Sequence, residues 1–191
     1  MLLHLDRAIY QEDLVPQNGN RRIDRIRDPG YLEGLGALSL EDLRARRDEC
    51  MAEREYLSLL RRLVQGRAEI LKAELDARGA GEDAGPLVDR LAVILAGNEE
   101  RAGASRGEAL KIGVPEDELS LARRSVEKLV ADAGISDPSV LDDERLAEAV
   151  ETLVNQEARV SESRTAVIVV LDAMQDELKR RYKEDPTQAL R

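Results

Sequence analysis

The sequence is poor in the residues that build an ordinary globular core. Phe and Trp are absent, and four Tyr are the only aromatic residues among 191. Aromatic side chains usually supply much of the apolar surface of a core, so the core of this protein must be aliphatic. Aliphatic residues together with 36% charged residues are typical of long helices and coiled coils.

Cysteine and histidine occur once each, which excludes most metal and catalytic centres. Cys50 alone can form neither an internal disulfide nor a zinc site with paired cysteines, and its place in an apolar helical pattern predicts a buried side chain. His4 lies near the start of the sequence and has no evident catalytic partner. The sequence also contains no phosphate-binding loop, so we expect neither an enzyme nor a metal site.

Long apolar runs are missing as well. The most apolar stretch, residues 166–171, is too short to cross a bilayer, and residues 1–5 are too short for a signal peptide. The formal net charge of −10 opposes binding to nucleic-acid phosphates. We therefore expect a cytoplasmic protein that binds neither membranes nor nucleic acids directly.

What the sequence does contain is two long helical patterns. In both of them apolar residues recur with heptad spacing, which predicts the seam of a coiled coil. The first pattern begins at Ser39, a favourable N-cap residue, and ends at Gly79, whereas the second ends before Pro186. The predicted seam residues are Leu43, Cys50, Leu57, Val64 and Leu71 in the first pattern, and Leu146, Val150, Leu153, Val160, Val167, Leu171, Met174 and Leu178 in the second.

These patterns predict an all-α fold in which two long helices, at about residues 39–79 and 141–184, form an antiparallel coiled-coil hairpin. Helices of similar length that are joined by a compact connection normally pack in this way. The basic stretch 21–27 is interpreted as solvated tail, or alternatively as a docking arm. The expected organisation is a coiled-coil domain at 39–184 with short helices in its connecting segment 80–140, an irregular N-terminal tail at 1–38 and a C-terminal tail at 185–191.

A polar pattern is repeated at the same spacing in the two long helices. At ~100° per residue, each set lies on one side of its helix, next to the apolar seam. A solvated, salt-bridging face is the simplest interpretation. The repeated Ser and Arg favour a binding site instead, because the planar guanidinium suits guanine edges and phosphates. The two sets are Arg54, Ser58, Arg61, Gln65 and Glu69, and Glu157, Ser161, Arg164, Ile168 and Asp172.

With its flanking residues, this repeated pattern resembles the signature of the RsiG family of cyclic-di-GMP-binding anti-sigma factors. The resemblance covers about residues 40–184. The flanks that carry it are Arg-Asp-Glu at 47–49, Leu-Ser-Leu-Leu-Arg-Arg-Leu-Val-Gln-Gly-Arg at 57–67, Ile-Leu-Lys-Ala-Glu-Leu at 70–75, Asp-Asp-Glu at 142–144 and Arg-Arg-Tyr at 180–182.

The resemblance implies a protein that binds a stacked pair of cyclic-di-GMP molecules and sequesters the actinobacterial sporulation sigma factor WhiG. It implies a monomer, because both copies of the motif lie in one chain. The resemblance assigns one role to each pair of equivalent residues. The two arginines donate to guanine, the carboxylates at the last motif position accept from guanine, and the serines bond phosphate or ribose. These residues are Arg61 and Arg164, Glu69 and Asp172, and Ser58 and Ser161, with Arg54, Gln65 and Glu157 completing the set.

Three positions depart from the family pattern. Arg54 stands in place of Glu, Glu69 in place of Asp, and Ile168 in place of Gln. In an antiparallel pair we expect Arg54 to lie near Asp172 and to attract it, which would hold the hairpin partly closed without ligand. The alternative function is a ligand-independent helical scaffold, or an anti-sigma protein whose nucleotide site is degenerate.

Overall fold

The computed structural model describes residues 21–79, 115–132, 135 and 138–187, and the regular structure of these residues is entirely helical. The all-α fold class is therefore confirmed. The α-helices are α1 (Arg22–Arg27), α2 (Leu40–Gly79), α3 (Glu116–Asp132) and α4 (Asp143–Glu184), and short 3-10 turns lie at Pro29–Leu32, Leu35–Ala37 and Pro138–Val140. His4 and most of the predicted connecting segment lie outside the described residues.

The two long helices begin and end where the sequence provides the appropriate signals. The Ser39 hydroxyl accepts a hydrogen bond from the Asp42 amide at 3.0 Å, and the Asp142 carboxylate accepts one from the Arg145 amide at 2.8 Å. Both side chains satisfy an amide that the first turn of a helix leaves without a partner. Pro186 follows the end of α4 closely, and α2 ends at its own glycine.

The chain divides into two compact units, and each long helix contributes one segment to each unit. The terminal unit contains Met1–Ser58 and Arg159–Arg191, and the central unit contains Leu59–Ala158. Within each unit, residues farther along α2 contact residues earlier in α4. The two helices are therefore antiparallel, and the predicted coiled-coil pairing is confirmed. The contacts that show this are Arg44–Tyr182 and Ser58–Arg164 in the terminal unit, and Arg61–Glu157 and Arg78–Asp143 in the central unit.

The buried side chains follow the heptad seam almost completely. Val150 is the exception among the predicted seam residues, because it is only half-buried while its neighbour Ala149 is buried. Cys50 is fully buried, as predicted. Seam residues with no more than 4% exposure are Leu43, Cys50, Leu57, Val160, Val167, Leu171, Met174 and Leu178 in the terminal unit, and Val64, Leu71, Leu146 and Leu153 in the central unit.

The segment before α2 is packed, which corrects the interpretation of the basic stretch 21–27 as solvated tail. Ile23 and Ile26 of α1 are buried, at 3% and 1% exposure. The Arg22 guanidinium donates to the buried Glu53 carboxylate at 2.6 Å, which satisfies a charge that would otherwise be costly to bury. The described part of the predicted tail therefore contains a short helix and two turns, and no long element, as its glycines and prolines predict.

A second polar repeat fixes the turn that precedes each long helix. Near its C-terminal end each long helix carries a Glu and an Arg one turn apart, and the Arg reaches the turn that precedes the other long helix. Arg181 donates to the carbonyl oxygens of Leu35 at 3.0 Å and Leu38 at 2.7 Å. Arg78 donates to those of Pro138 at 2.9 Å and Leu141 at 2.6 Å. We call these two sets of contacts the arginine clamps.

The clamps are equivalent contacts in two copies of one structural repeat. In both copies a 3-10 turn is followed by a capped long helix with the same seam and the same Glu-Arg pair. In the terminal unit, hydrogen bonds from Arg180 and Arg181 hold the pKa of Glu177 at about 2, far below its usual value. That carboxylate is therefore ionised at neutral pH and fixes the position of the Arg181 guanidinium.

Candidate functional site

The boundary between the units divides the candidate ligand residues into two groups. Each group combines residues from both long helices, because the helices run antiparallel. The central group consists of Arg61, Gln65, Glu69 and Glu157, and the terminal group consists of Arg54, Ser58, Ser161, Arg164 and Asp172.

In the central group, α2 places Arg61, Gln65 and Glu69 one turn apart along one face, opposite Glu157 of α4. The Nε of Arg61 donates to Oε1 of Glu157 at 2.6 Å, and the Gln65 amide donates to the Glu69 carboxylate at 3.1 Å. These side chains are half-buried. The two polar sets, which we call the polar stripes, therefore meet across the two helices here through the ion pair between Arg61 and Glu157.

The central group surrounds a pocket of about 250 Å³ that is partly open to solvent. Its walls carry two carboxylates, one amide and two basic groups, and its apolar part consists of small aliphatic side chains. The lining residues are Arg61, Gln65, Ala68, Glu69, Lys72, Val150, Val154 and Glu157. Such a lining can hold a flat heterocycle by its faces and hydrogen-bond it by its edges.

Arg61 has unused hydrogen-bonding capacity at the mouth of this pocket. Its side chain is 42% exposed, and its Nε is engaged with Glu157. Within the described part of the chain, its two terminal nitrogens make no hydrogen bond. The N–H groups of these nitrogens lie in one plane and can donate to two neighbouring acceptors at once.

In the terminal group, a chain of hydrogen bonds replaces the ion pair. The Nε of Arg164 donates to the Ser58 hydroxyl at 2.8 Å, and this hydroxyl donates to the carbonyl oxygen of Arg54 at 2.7 Å. Ser58 and Arg164 are therefore joined across the two helices, a contact that the sequence did not predict. Its geometry differs from that of the central group, because the acceptor here is a neutral hydroxyl.

The expected attraction between Arg54 and Asp172 is wrong. Among the described residues, the ion pair of Arg54 is with its neighbour Glu55, at 3.6 Å, and Asp172 is exposed. Ser161 is half-buried, and its backbone carbonyl accepts from the Thr165 hydroxyl at 3.0 Å. The side chain of Arg54 therefore does not bridge the two helices, and the hairpin is not held closed by this pair.

Four pocket residues were not among the sequence candidates for the site: Ala68, Lys72, Val150 and Val154. Lys72 continues the spacing of Arg61, Gln65 and Glu69 by one further turn, so an extended stripe would have included it. Val150 was assigned to the seam but is half-buried, and Val154 is 51% exposed. Both valines line the pocket. Within the described ranges, no cluster of three or more His, Cys, Asp or Glu side chains could hold a metal ion.

Comparison with known proteins gives one family. The family model described as RsiG-like matches residues 29–95. The match covers about a third of the chain, and over this stretch the chain is similar to the RsiG-like family. The RsiG-like stretch contains the whole of α2 and therefore the first copy of the polar motif, and the match indicates a regulator of the anti-sigma type.

Among curated proteins, none matches the chain. No helix in the described ranges is both long enough and apolar enough to span a membrane.

Proposed function

We propose that this protein is an anti-sigma factor controlled by cyclic-di-GMP, which binds on the paired polar stripes and promotes sequestration of a sporulation-type sigma factor such as WhiG. The observation that carries the proposal is the pocket in which Arg61 of one long helix meets Glu157 of the other. A ligand that engages both residues would stabilise the pairing of the two helices. Binding of the sigma factor would then depend on the ligand through this pairing. Both motif copies lie in one chain, which favours a monomer.

The chemistry of guanine suits this pocket. Guanine offers O6 and N7 as adjacent acceptors on one edge, and its N1–H and N2–H groups are donors. The free terminal nitrogens of Arg61 match the acceptors, and the carboxylates of Glu69 and Glu157 match the donors. Val150 and Val154 offer apolar contact to the face of the ring. Adenine keeps the N7 acceptor but has an amino donor in place of O6, an acceptor at N1 and no amino group at C2, so we expect cyclic-di-AMP to bind poorly.

The resting ion pair does not prevent ligand entry. Arg61 and Glu157 keep 42% and 27% of their side-chain surface exposed. A pair that is exposed to this degree stabilises a protein by only about 0–1 kcal/mol. A nucleotide can therefore rearrange the pair at little cost.

The partner interaction is supported by the RsiG-like match and by charge. The chain has a net charge of −10, and the DNA-contacting surfaces of a sigma factor are basic. Complementary charge favours association and would cover the surfaces that the sigma factor needs for promoter binding.

Calorimetric titration with cyclic-di-GMP tests the ligand. We expect micromolar or tighter binding to the parent protein and no detectable binding to the double variant Arg61→Ala/Arg164→Ala. Arg62→Ala is the matched control, because Arg62 is the exposed neighbour of Arg61 and does not line the pocket. Equal affinity in the parent and the double variant would place the ligand elsewhere, and no binding by the parent would refute nucleotide control.

Co-purification with a WhiG-type sigma factor tests the partner. The expected result is a complex that forms with cyclic-di-GMP and is lost without it. A complex that forms equally well without nucleotide would support a ligand-independent anti-sigma protein with a degenerate site. Failure to bind any sigma factor, together with a normal thermal unfolding profile, would instead support a helical scaffold.

A further inference from the structure

The short helix α1 covers a surface of α2 that carries two carboxylates. The Arg22 guanidinium donates to Glu53 at 2.6 Å, and the Arg25 guanidinium donates to Glu49. Each of these arginines is followed in the sequence by a buried isoleucine. We call the part of α2 that carries Glu49 and Glu53 the acidic face. The structure thus shows that this face binds a helix of alternating cationic and branched apolar side chains.

The acidic face is separate from the polar stripes. On a helical wheel of α2, the seam residues Cys50 and Leu57 lie between the acidic face and the motif residues Arg54 and Ser58. The two polar surfaces of α2 therefore lie on opposite sides of its seam. A partner can contact the acidic face without occupying the polar stripes.

The second copy of the repeat shows that packing at this place does not require charge. The separation along the chain that relates the two copies of the polar motif places Thr152 and Gln156 at the positions of Glu49 and Glu53. Gln156 is 8% exposed and Glu53 is 4% exposed, so a neutral side chain occupies the corresponding buried position. A buried ion pair often stabilises a fold no more than well-packed neutral side chains do. The remaining effect of Glu53 is selectivity for a cationic helix.

α1 is a weakly held occupant of the acidic face. It has six residues, and a helix of this length depends on tertiary contacts for its stability. The Arg25 side chain is 52% exposed, so its ion pair to Glu49 contributes little. The Nε of Arg21, which immediately precedes α1, is buried and makes no hydrogen bond within the described part of the chain. A buried donor without an acceptor opposes this packing, so a longer helix with the same pattern can displace α1.

We propose that the acidic face is a docking site for a basic amphipathic helix of the sigma factor, and that α1 occupies this site until the partner helix displaces it. The inference rests on the proposed function for the identity of the partner, and it adds a contact surface apart from the polar stripes. The recognised pattern is an arginine followed by a branched apolar residue, repeated about one turn later, as in residues 22–26. α1 is therefore an internal competitor that lowers the affinity for the partner.

Hydrogen exchange in the full-length protein tests the displacement. When a WhiG-type sigma factor is added with cyclic-di-GMP, the amides of residues 24–28 should exchange at least about tenfold faster, because α1 is released. The amides of residues 49–57 should remain protected, because the partner helix replaces α1 on the acidic face. Exchange at residues 24–28 that is unchanged or slower in the complex would show that α1 stays in place and would overturn the inference.

Release of α1 by substitution tests the competition. Ile23→Asp/Ile26→Asp removes the apolar contacts of α1, and we expect the affinity for the sigma factor to rise at least about fivefold, because the binding-competent state is more populated. Circular dichroism and urea denaturation should show that the two long helices remain folded. Addition of Glu49→Gln/Glu53→Gln should abolish the gain, because the partner helix then loses its carboxylates.

A second variant loosens α1 without placing charge in its apolar contacts. Arg22→Gln/Arg25→Gln removes both cations, and we expect a smaller gain in affinity of the same sign. Arg27→Gln is the matched control, since Arg27 is an exposed arginine of the same helix. Affinity that is unchanged or lower in both loosened variants, while the parent binds the sigma factor, would overturn this inference alone. Binding of the sigma factor by neither the parent nor these variants would overturn the proposed function as well.

Discussion

Arg61 and Arg164 occupy equivalent places in the two copies of the repeat, yet each guanidinium has a different acceptor. Glu157 offers a carboxylate to Arg61 at 2.6 Å, whereas Arg54 stands at the position that would serve Arg164. One side chain on the facing helix therefore decides whether a motif arginine forms an ion pair. The bond from Arg164 to Ser58 is the contact that remains possible.

Arg54→Glu should leave the ligand-free protein as stable as the parent, or make it up to about 1 kcal/mol more stable. The change removes only the ion pair to Glu55, at 3.6 Å, and places a carboxylate where Arg164 can reach it. Urea denaturation measures the free energy of unfolding, and Arg54→Gln serves as the control without a carboxylate. The gain should vanish when Arg164→Ala is added. A loss of stability in Arg54→Glu would show that Arg54 closes the hairpin in spite of its contacts.

Cys50 acts as a buried apolar residue whose ionisation is unfavourable. Burial is the main cause that raises the pKa of its thiol from 9 to about 11, and the neighbouring carboxylates of Glu49 and Glu53 act in the same direction. The folded protein therefore holds this proton at pH values at which the unfolded chain has lost it. The contribution of the neutral thiol to the free energy of unfolding is fully present below pH 9 and is lost as the pH rises towards 11.

Between pH 8.5 and 10.5, the parent protein should lose about 2 kcal/mol more stability than Cys50→Ala. The comparison concerns the pH dependence alone, since the alanine variant is less stable throughout because of the cavity it creates. Tyr31 remains in both proteins, and its phenol pKa is raised mainly by burial, so its contribution cancels apart from the part that comes from contact with Cys50. Denaturation curves at the two pH values provide the measurement. Parallel losses in the two proteins would mean that the thiol does not titrate in this range.

At the scale of the elements, apolar packing and the arginine clamps have separate tasks. The seam holds α2 against α4 along each unit through aliphatic side chains, with Leu43, Met174 and Leu178 forming one cluster beside the turns that precede α2. A seam of this kind does not by itself fix the turn at Leu35–Ala37. Arg181 does so, because its guanidinium binds three carbonyl oxygens there and its side chain is only 13% exposed.

Arg181→Ala should lower the free energy of unfolding by about 2–4 kcal/mol, because carbonyl oxygens of the turn lose a charged donor while the Glu177 carboxylate loses one of its partners. Lys179→Ala, which removes a charge that is 65% exposed on the same helix, should have almost no effect. Thermal denaturation gives the ranking, and hydrogen exchange at the amides of residues 37–43 should accelerate only in Arg181→Ala. Equal effects of the two substitutions would show that the clamp at Arg181 does not stabilise the fold.

The heptad pattern allowed the long helices, their antiparallel pairing and most of the seam to be predicted. Periodicity reports which face of a helix is apolar, and this was sufficient for Leu43 or Val167. It could not reveal that α1 packs through Ile23 and Ile26, because six residues are too few to show a period. The repeat also revealed the motif arginines but not their acceptors, which depend on the register of the facing helix.

For the whole molecule, the balance of charge opposes nucleic acid as a partner. A net charge of −10 repels the phosphate backbone, and two of the three arginines of α1 are paired with carboxylates, Arg22 with Glu53 and Arg25 with Glu49. The pairing of Arg22 and Arg25 neutralises most of the basic stretch at residues 21–27. An acidic regulator of this kind is suited to a basic protein partner.

The protein alone should not bind duplex DNA at ~0.1 M salt, because it has no surplus of cations with which to release counterions from the duplex. Fluorescence anisotropy of a labelled duplex, with and without cyclic-di-GMP, measures this directly. A WhiG-type sigma factor, added alone, is the positive control for the duplex. Retention of DNA at micromolar protein, weakening as salt is raised, would reveal a cationic surface that the net charge conceals.

The clamp at Arg181 also has a consequence for the order of folding during synthesis. The turn at Leu35–Ala37 is among the first described elements to leave the ribosome, but the guanidinium that holds it is translated almost 150 residues later. The start of α2 must therefore wait, incompletely fixed, until the end of α4 has emerged. A ribosome that stalls before residue 181 would leave an N-terminal segment that quality-control proteases can still recognise.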